Sequence, residues 1–249
     1  MIAVMDISSA FRRYLLPGFI FQSVIIAGGY GTGRELVEFF LSQGPMGGLL
    51  GIIVATLIFS AVSMATFELA RMWGAYDYRR FFQKLLGRGW WVFEVCYVGL
   101  LLIVLAVVAA ASGSIMEETF GLNYWVGVGA VMIAVGALVF GGNETIEKFF
   151  TAWSFALYAV YMIFFIWCFQ SFGGAITSNL TFTPAGTGWI WAGLSYAGYN
   201  LAVIPPVLAA LRLHETRRET FIAGALTGPI AMIPGLLFLL ATVGQYPAI

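Results

Sequence analysis

Charge is scarce in this sequence. Lys, Arg, Asp and Glu make up 10% of its 249 residues, and the twelve basic and twelve acidic groups cancel. A sparse, balanced charge without a long basic run removes the electrostatic footprint by which proteins hold nucleic acid. There is one histidine, His214, and there are two cysteines, Cys96 and Cys168. That inventory is too thin and too scattered for a transition-metal centre. Both cysteines fall in apolar stretches that the topology below puts near opposite membrane faces, so they are expected to be unbridged core thiols. No Ser/His/Asp set or phosphate-binding loop is present, and the glycine-rich string Gly29 to Arg34 lacks the flanking strand and helix of a dinucleotide fingerprint. Neither enzymatic activity nor a bound cofactor is expected.

What is abundant is apolar surface. Hydrophobic residues are 61% of the chain and the mean hydropathy is +0.91, values of an integral all-α membrane protein whose partner is the lipid bilayer. At about 20 apolar residues per span, seven transmembrane helices are expected, at about 17–41, 46–69, 90–113, 123–141, 149–171, 188–211 and 220–243. Arg12 and Arg13 ahead of the first run resemble the start of a signal peptide. The run is too long for one and contains Arg34, Glu35 and Glu38, so it reads as an uncleaved first span.

The basic residues give the orientation. Arg12, Arg13, Arg71, Arg79, Arg80, Lys84, Arg88, Lys148, Arg212, Arg217 and Arg218 all fall in alternate connections, eleven of the twelve. The loops Ser42 to Pro45, Ser114 to Leu122 and Phe172 to Thr187 have none. The rule that cytoplasmic loops hold Lys and Arg then puts the N-terminus in the cytoplasm and the C-terminus of this chain outside, in a multi-pass protein of the cell membrane. Between spans two and three, Tyr78, Phe81, Phe82, Leu85 and Leu86 interleave with Arg79, Arg80 and Lys84, the pattern of a helix lying along the membrane surface. Glu68 and Glu94 lie near span ends and are expected to meet Arg71 or another loop arginine, and His214 reads as a surface residue among arginines. Small residues at Gly47, Gly51 and Ala55, and at Ala130, Ala134, Ala137 and Gly141, suit helix packing seams. Gly224, Gly228, Pro229, Pro234 and Gly235 predict a kink in span seven.

Two spans carry interruptions. In the first, Gly28, Gly29, Gly31 and Gly33 put four glycines in six residues, with Tyr30 and Thr32 between them. Each Gly costs about 1 kcal/mol relative to Ala in a helix, so an unwound segment is expected. Irregular backbone at membrane depth is tolerated only where it is buried in protein or lines a cavity. Unwinding exposes backbone N–H groups from about Thr32 onward, suited to an anion, and carbonyls around Ile26 to Gly28, suited to a cation. The alternative is glycines serving close helix packing alone. Arg34, Glu35 and Glu38 stand roughly 6 to 12 Å beyond the break at 1.5 Å per residue. They are an outer gate, proton-coupling carboxylates, or an Arg34–Glu38 pair that merely neutralises itself. The sixth span centres on Tyr196, Tyr199 and Asn200 and then meets Pro205 and Pro206, which remove backbone donors. These three side chains offer hydroxyl and amide groups near the midplane, for a solute or for bonds between helices. The second break comes five spans after the first, an odd offset, so the two run in opposite directions, the pattern of a site built from inverted repeats.

The string Val24 to Phe40, with its Gly-rich turn before a polar residue, Glu and an apolar run, resembles the first span of the YkvI-type membrane proteins. The string Tyr196 to Leu208 is similar to their sixth. That family in turn resembles the amino acid, polyamine and organocation transporter superfamily, with the fold of sodium-coupled amino acid symporters. The resemblance implies ten core helices in a five-plus-five inverted repeat. This chain would hold the first repeat at 17–171 and the first two helices of the second at 188–243, in one transmembrane domain over 1–249. On that expectation the chain is truncated after span seven. The implied function is secondary active transport of a small solute, an amino acid or related amine, coupled to Na+ or H+. The rival reading is a non-transporting seven-span receptor or channel subunit.

Overall fold

The computed structural model describes residues 10–28, 33–140 and 142–246. Every regular element among them is helical: α1 (Leu16–Gly28), α2 (Pro45–Trp73), α3 (Tyr78–Leu86), α4 (Trp90–Phe120), α5 (Tyr124–Phe140), α6 (Gly142–Phe182), α7 (Trp189–Asn200) and α8 (Arg217–Val243). A wide π-helical turn at Phe11–Leu15 precedes α1, and a second at Leu36–Phe40 follows it. A 3-10 segment at Pro205–Leu213 follows α7. Four helical runs are long and apolar enough to cross a membrane: Pro45–Trp73, Tyr78–Phe120, Tyr158–Thr181 and Arg217–Val243. The pair Trp189–Val203 and Pro205–Leu213, bent by 66°, makes a fifth if it is one span.

Two compact units share these helices, Met1–Trp91 with Cys168–Ile249, and Val92–Trp167. In the larger unit α2 lies along α8, and α1, α7 and the Leu36–Phe40 turn pack against this pair. Glycines set the spacing. A Cβ at Gly224 would fall 2.5 Å from the Met64 backbone nitrogen, and one at Gly228 would strike the Thr56 carbonyl. With no gain from hiding apolar groups when the surroundings are lipid, close backbone approach is what holds such helices together. The same crossing solves a backbone problem. Pro229 has no N–H for the carbonyl four residues back, that of Ala225, and the Ser60 hydroxyl of α2 donates to it at 2.8 Å. The helical run of α8 passes through both Pro229 and Pro234.

Helix ends follow the side chains available. Asp77 caps α3 by accepting from the Arg80 N–H at 3.1 Å. Gly74, at φ +59°, turns the chain out of α2, and Lys84 donates to the last α2 carbonyl, Trp73, at 2.7 Å. Thr216 and Glu219 form a reciprocal capping box at the start of α8. In the smaller unit, the Ser112 hydroxyl of α4 reaches the Gly127 carbonyl of α5 at 3.2 Å. Gly113 lies so close to Tyr124 that a Cβ would fall 2.6 Å from its ring.

Several sequence expectations are corrected here. Phe172 to Thr187 is not a loop throughout, because α6 continues to Phe182, with Thr177, Ser178 and Thr181 each bonding back to a carbonyl of its own helix. The connection Ser114 to Leu122 is likewise helical to Phe120. Cys168 is buried but Cys96 is exposed, and both are free thiols. Ala130, Ala134 and Ala137 are exposed, and the small residue of α5 that meets a neighbour is Gly127; Gly141 lies outside the described residues. His214 is not a surface residue, being 2% exposed. These misassignments share a cause: in a membrane protein hydrophobicity reports contact with lipid as readily as with core.

Candidate functional site

Both interruptions lie in the larger unit, and their flanking segments touch. α1 is described as far as Gly28, and Gly33 stands at φ +75°, a left-handed backbone open to glycine. Helical backbone resumes at Arg34 and widens into the π turn Leu36–Phe40. Gly29, Tyr30, Gly31 and Thr32, all expected at the site, lie outside the described residues. On the other side α7 ends at Asn200, and the chain continues through a 3-10 turn at Leu201–Val203 to the bend at Ile204. Pro205 has no N–H for the Leu201 carbonyl. The tighter turn supplies one instead, from Ile204 at 3.2 Å, and Val207 in turn bonds the Ile204 carbonyl at 3.0 Å. The bend thus falls four residues beyond Asn200, at the prolines. The Leu36–Phe40 turn packs on α7, and α1 packs on both segments that follow α7.

The side chains divide into an aromatic hub and a polar edge. Tyr196 is fully buried, its ring centroid 4.8 Å from that of Phe40, 5.5 Å from Phe39 and 6.3 Å from Phe59. Phe59 meets Phe21 of α1 edge to face at 5.1 Å, so one cluster joins both halves of span one to α2 and α7. Asn200 is buried as well, and its amide donates to the Tyr196 carbonyl one turn back at 3.1 Å. Tyr199, on another face of α7, is 41% exposed, and its hydroxyl lies near the Glu35 carboxylate, close enough for the two to interact. Glu35 Oε2 is buried without a hydrogen bond. Arg34 and Glu38, by contrast, are exposed and pair with each other at 2.6 Å, the self-neutralising arrangement among the alternatives.

Of the expected site residues, the structure therefore brings Glu35 to Tyr199 and stacks Tyr196 against span one. It turns the Asn200 amide onto its own helix and leaves Arg34 and Glu38 facing outward. Sequence reasoning missed the aromatic partners Phe21, Phe39, Phe40 and Phe59, which nothing distinguishes from other apolar residues of a span. Gln22, buried in α1, was legible as a lone amide in an apolar run. Among the described residues no group of three or more His, Cys, Asp or Glu side chains could hold a metal ion.

A second polar cluster closes the opposite end of the unit. Arg13 Nη1 meets Glu219 Oε1 at 2.6 Å, and Glu219 Oε2 accepts the backbone N–H groups of Glu215 and Thr216 at 2.9 and 3.1 Å. Arg71 pairs with Glu68 at 2.6 Å and reaches the Glu215 carbonyl at 3.3 Å, while the Thr220 hydroxyl donates to Glu68 at 2.7 Å. His214 sits inside this cluster, its Nδ1 3.2 Å from the Leu211 carbonyl. Its Nε2 has no hydrogen bond of normal geometry, although the Arg13 backbone approaches the ring. Burial holds the imidazole below the ordinary histidine range.

Long apolar helices whose lipid-type side chains face outward, joined by connections rich in paired charge, define an all-helical, multi-pass membrane protein. The chain is similar to the uncharacterized membrane protein YkvI of Bacillus subtilis (strain 168), with 24% identity over 216 residues. That alignment covers 84% of this chain and 60% of the relative, so the chain spans about 60% of the relative's length. No family profile and no solved structure matches.

Proposed function

We propose that this protein is a secondary active transporter, binding a small zwitterionic or cationic solute between the broken first span and the bent sixth. The solute, an amino acid or related amine, is exposed alternately to each side of the cell membrane, with Na+ or H+ coupling and no cofactor or covalent chemistry. The reading includes seven spans that form a first five-helix repeat and the opening of an inverted second. It also takes the N-terminus to be cytoplasmic, the side on which the Arg13, Arg71 and Arg212 connections would lie. The observation that carries it is the contact between the two interruptions: Gly33 at φ +75°, the end of α7 at Asn200, a 66° bend at Ile204, and packing of each broken segment on the other. Paired breaks of this kind are the strongest pointer to a transporter site. Glu35 beside Tyr199 adds a carboxylate able to take a proton or face an ammonium group.

The test is solute-dependent thermal stabilisation of the purified full-length protein across a panel of amino acids and amines, followed by uptake into proteoliposomes. A binding solute raises the unfolding midpoint by mass action, and Gly31→Leu and Asn200→Ala abolish that rise. Retention of the rise in both variants, for a solute that the parent binds, refutes the site. Binding without uptake under either an Na+ or an H+ gradient refutes transport.

A further inference from the structure

We propose that α3 and the turn after it form a docking surface for the headgroups of anionic phospholipid. Phe81 is buried against Trp73, their ring centroids 5.5 Å apart, and Tyr78 and Phe82 are partly buried on the same core. That ties α3 to the end of α2, a candidate membrane span, and so to the boundary of the bilayer. Farther along the same apolar face, Leu85 and Leu86 are 46% and 45% exposed. The rest of the helix surface is basic. Arg79, Arg80, Lys84 and Arg88 are all exposed, and residues 78–91 contain no acidic side chain.

Three neighbouring carboxylates are engaged by other groups. Asp77 caps α3, Glu68 is held by Arg71 and Glu219 by Arg13. Arg79 lies over the Trp90 ring at 5.4 Å and Lys84 bonds the Trp73 carbonyl, so both are positioned, while Arg80 and Arg88 are exposed beside them. Exposed leucines beside a fixed row of cations match the acyl boundary and the phosphates of one lipid leaflet.

The proposal is independent of transport. The test uses the full chain in detergent, with phosphatidylglycerol or phosphatidylcholine added, read by native mass spectrometry and by the thermal midpoint. Phosphatidylglycerol is expected to bind preferentially and raise the midpoint. R80Q/R88Q, which touches neither Lys84 nor the Trp90 stack, should weaken that binding roughly thirtyfold, about fivefold for each cation removed. Its midpoint in phosphatidylcholine should match the parent, and R80K/R88K should keep the preference. The proposal fails if R80Q/R88Q retains the parent's preference, if the parent shows none, or if inorganic phosphate competes as well as the lipid does.

Discussion

The contact most open to a quantitative test is the pair Arg13–Glu219, which fastens the turn before α1 to the start of α8. Glu219 has a side chain 10% exposed and accepts three hydrogen bonds, from Arg13 at 2.6 Å and from two backbone N–H groups. The Arg13 side chain is 38% exposed, so its share must be discounted for solvent screening. A hydrogen bond between charged groups contributes about 1.5–3 kcal/mol, which the discount brings to about 1–2 kcal/mol for the pair. An acid in the first helical turn adds roughly 0.3–1 kcal/mol through the helix dipole. Glu219→Gln should then destabilise by about 2–3 kcal/mol, and Arg13→Gln by about 1–2 kcal/mol. In a chain of this size that corresponds to roughly 4–10 °C for the glutamate variant. The double variant separates the pair from the cap. Glu219→Gln should cost only about 1 kcal/mol once Arg13 is already Gln, giving a coupling of about 1–2 kcal/mol. Thermal midpoints of the four proteins, followed by tryptophan fluorescence in one detergent at low and high salt, provide the measurement. A coupling below about 0.3 kcal/mol would refute the claim that this contact holds the N-terminal turn.

Three further outcomes follow from neighbouring features. Ser60→Ala strands the Ala225 carbonyl and should cost about 0.5–1.5 kcal/mol; in a Pro229→Ala background, where the replaced residue regains an N–H for that carbonyl, the loss should shrink, and an equal loss would show that the Ser60 bond is incidental. Gly228→Leu should abolish a monodisperse folded product, because its side chain would occupy the Thr56 carbonyl and Ser60, whereas Gly129→Leu, with nothing within 4 Å of its Cβ position, should leave it intact; size-exclusion profiles report both. For His214 the folded pKa is depressed, so as pH falls through about 6.5 the unfolded chain takes up a proton that the buried ring resists. Stability should therefore decline on acidification, with no effect of this group above that range, and His214→Gln should flatten the thermal midpoint between pH 8 and 5; an unchanged decline would assign it elsewhere.

How much could be read from residues alone depended on which physical signal each feature carries. Backbone breakers act locally, so the break at Gly33 and the bend at Pro205 were legible, as was α3, whose apolar and basic residues alternate at helical spacing. Burial was not, because lipid and core select the same side chains. Cys96 and Cys168 look alike in sequence, yet only Cys168 is buried. His214 failed for the opposite reason: three nearby arginines suggested water, whereas the ring is covered where the Arg13 turn meets α8. The Arg34–Glu38 pair could be anticipated from its one-turn spacing. The approach of Tyr199 to Glu35 could not, since 164 positions separate them and only the packing of α7 on the Leu36–Phe40 turn brings them together.

The two interruptions also differ in how firmly the chain holds them. At the bend after α7, two freed carbonyls have a donor close by, Ile204 for Leu201 and Val207 for Ile204, and the Asn200 amide adds a bond to the Tyr196 carbonyl. α2 and α8 are locked by glycines too close to tolerate a side chain and by the Ser60 bond across them. The outer half of span one is also closely packed, since a Cβ at Gly51 would fall 2.9 Å from the Phe40 ring, but its backbone is held less tightly. Its first backbone bond, Val37 N–H to the Gly33 carbonyl, is 3.3 Å long. Its helix widens into a π turn, and Glu35 keeps one buried oxygen unbonded. Wide turns and unsatisfied polar groups raise the free energy of a segment and so lower the cost of leaving its present conformation. A solute that bonds Glu35 and the backbone around Gly33 would therefore shift this half-helix more readily than it would the bend that faces it.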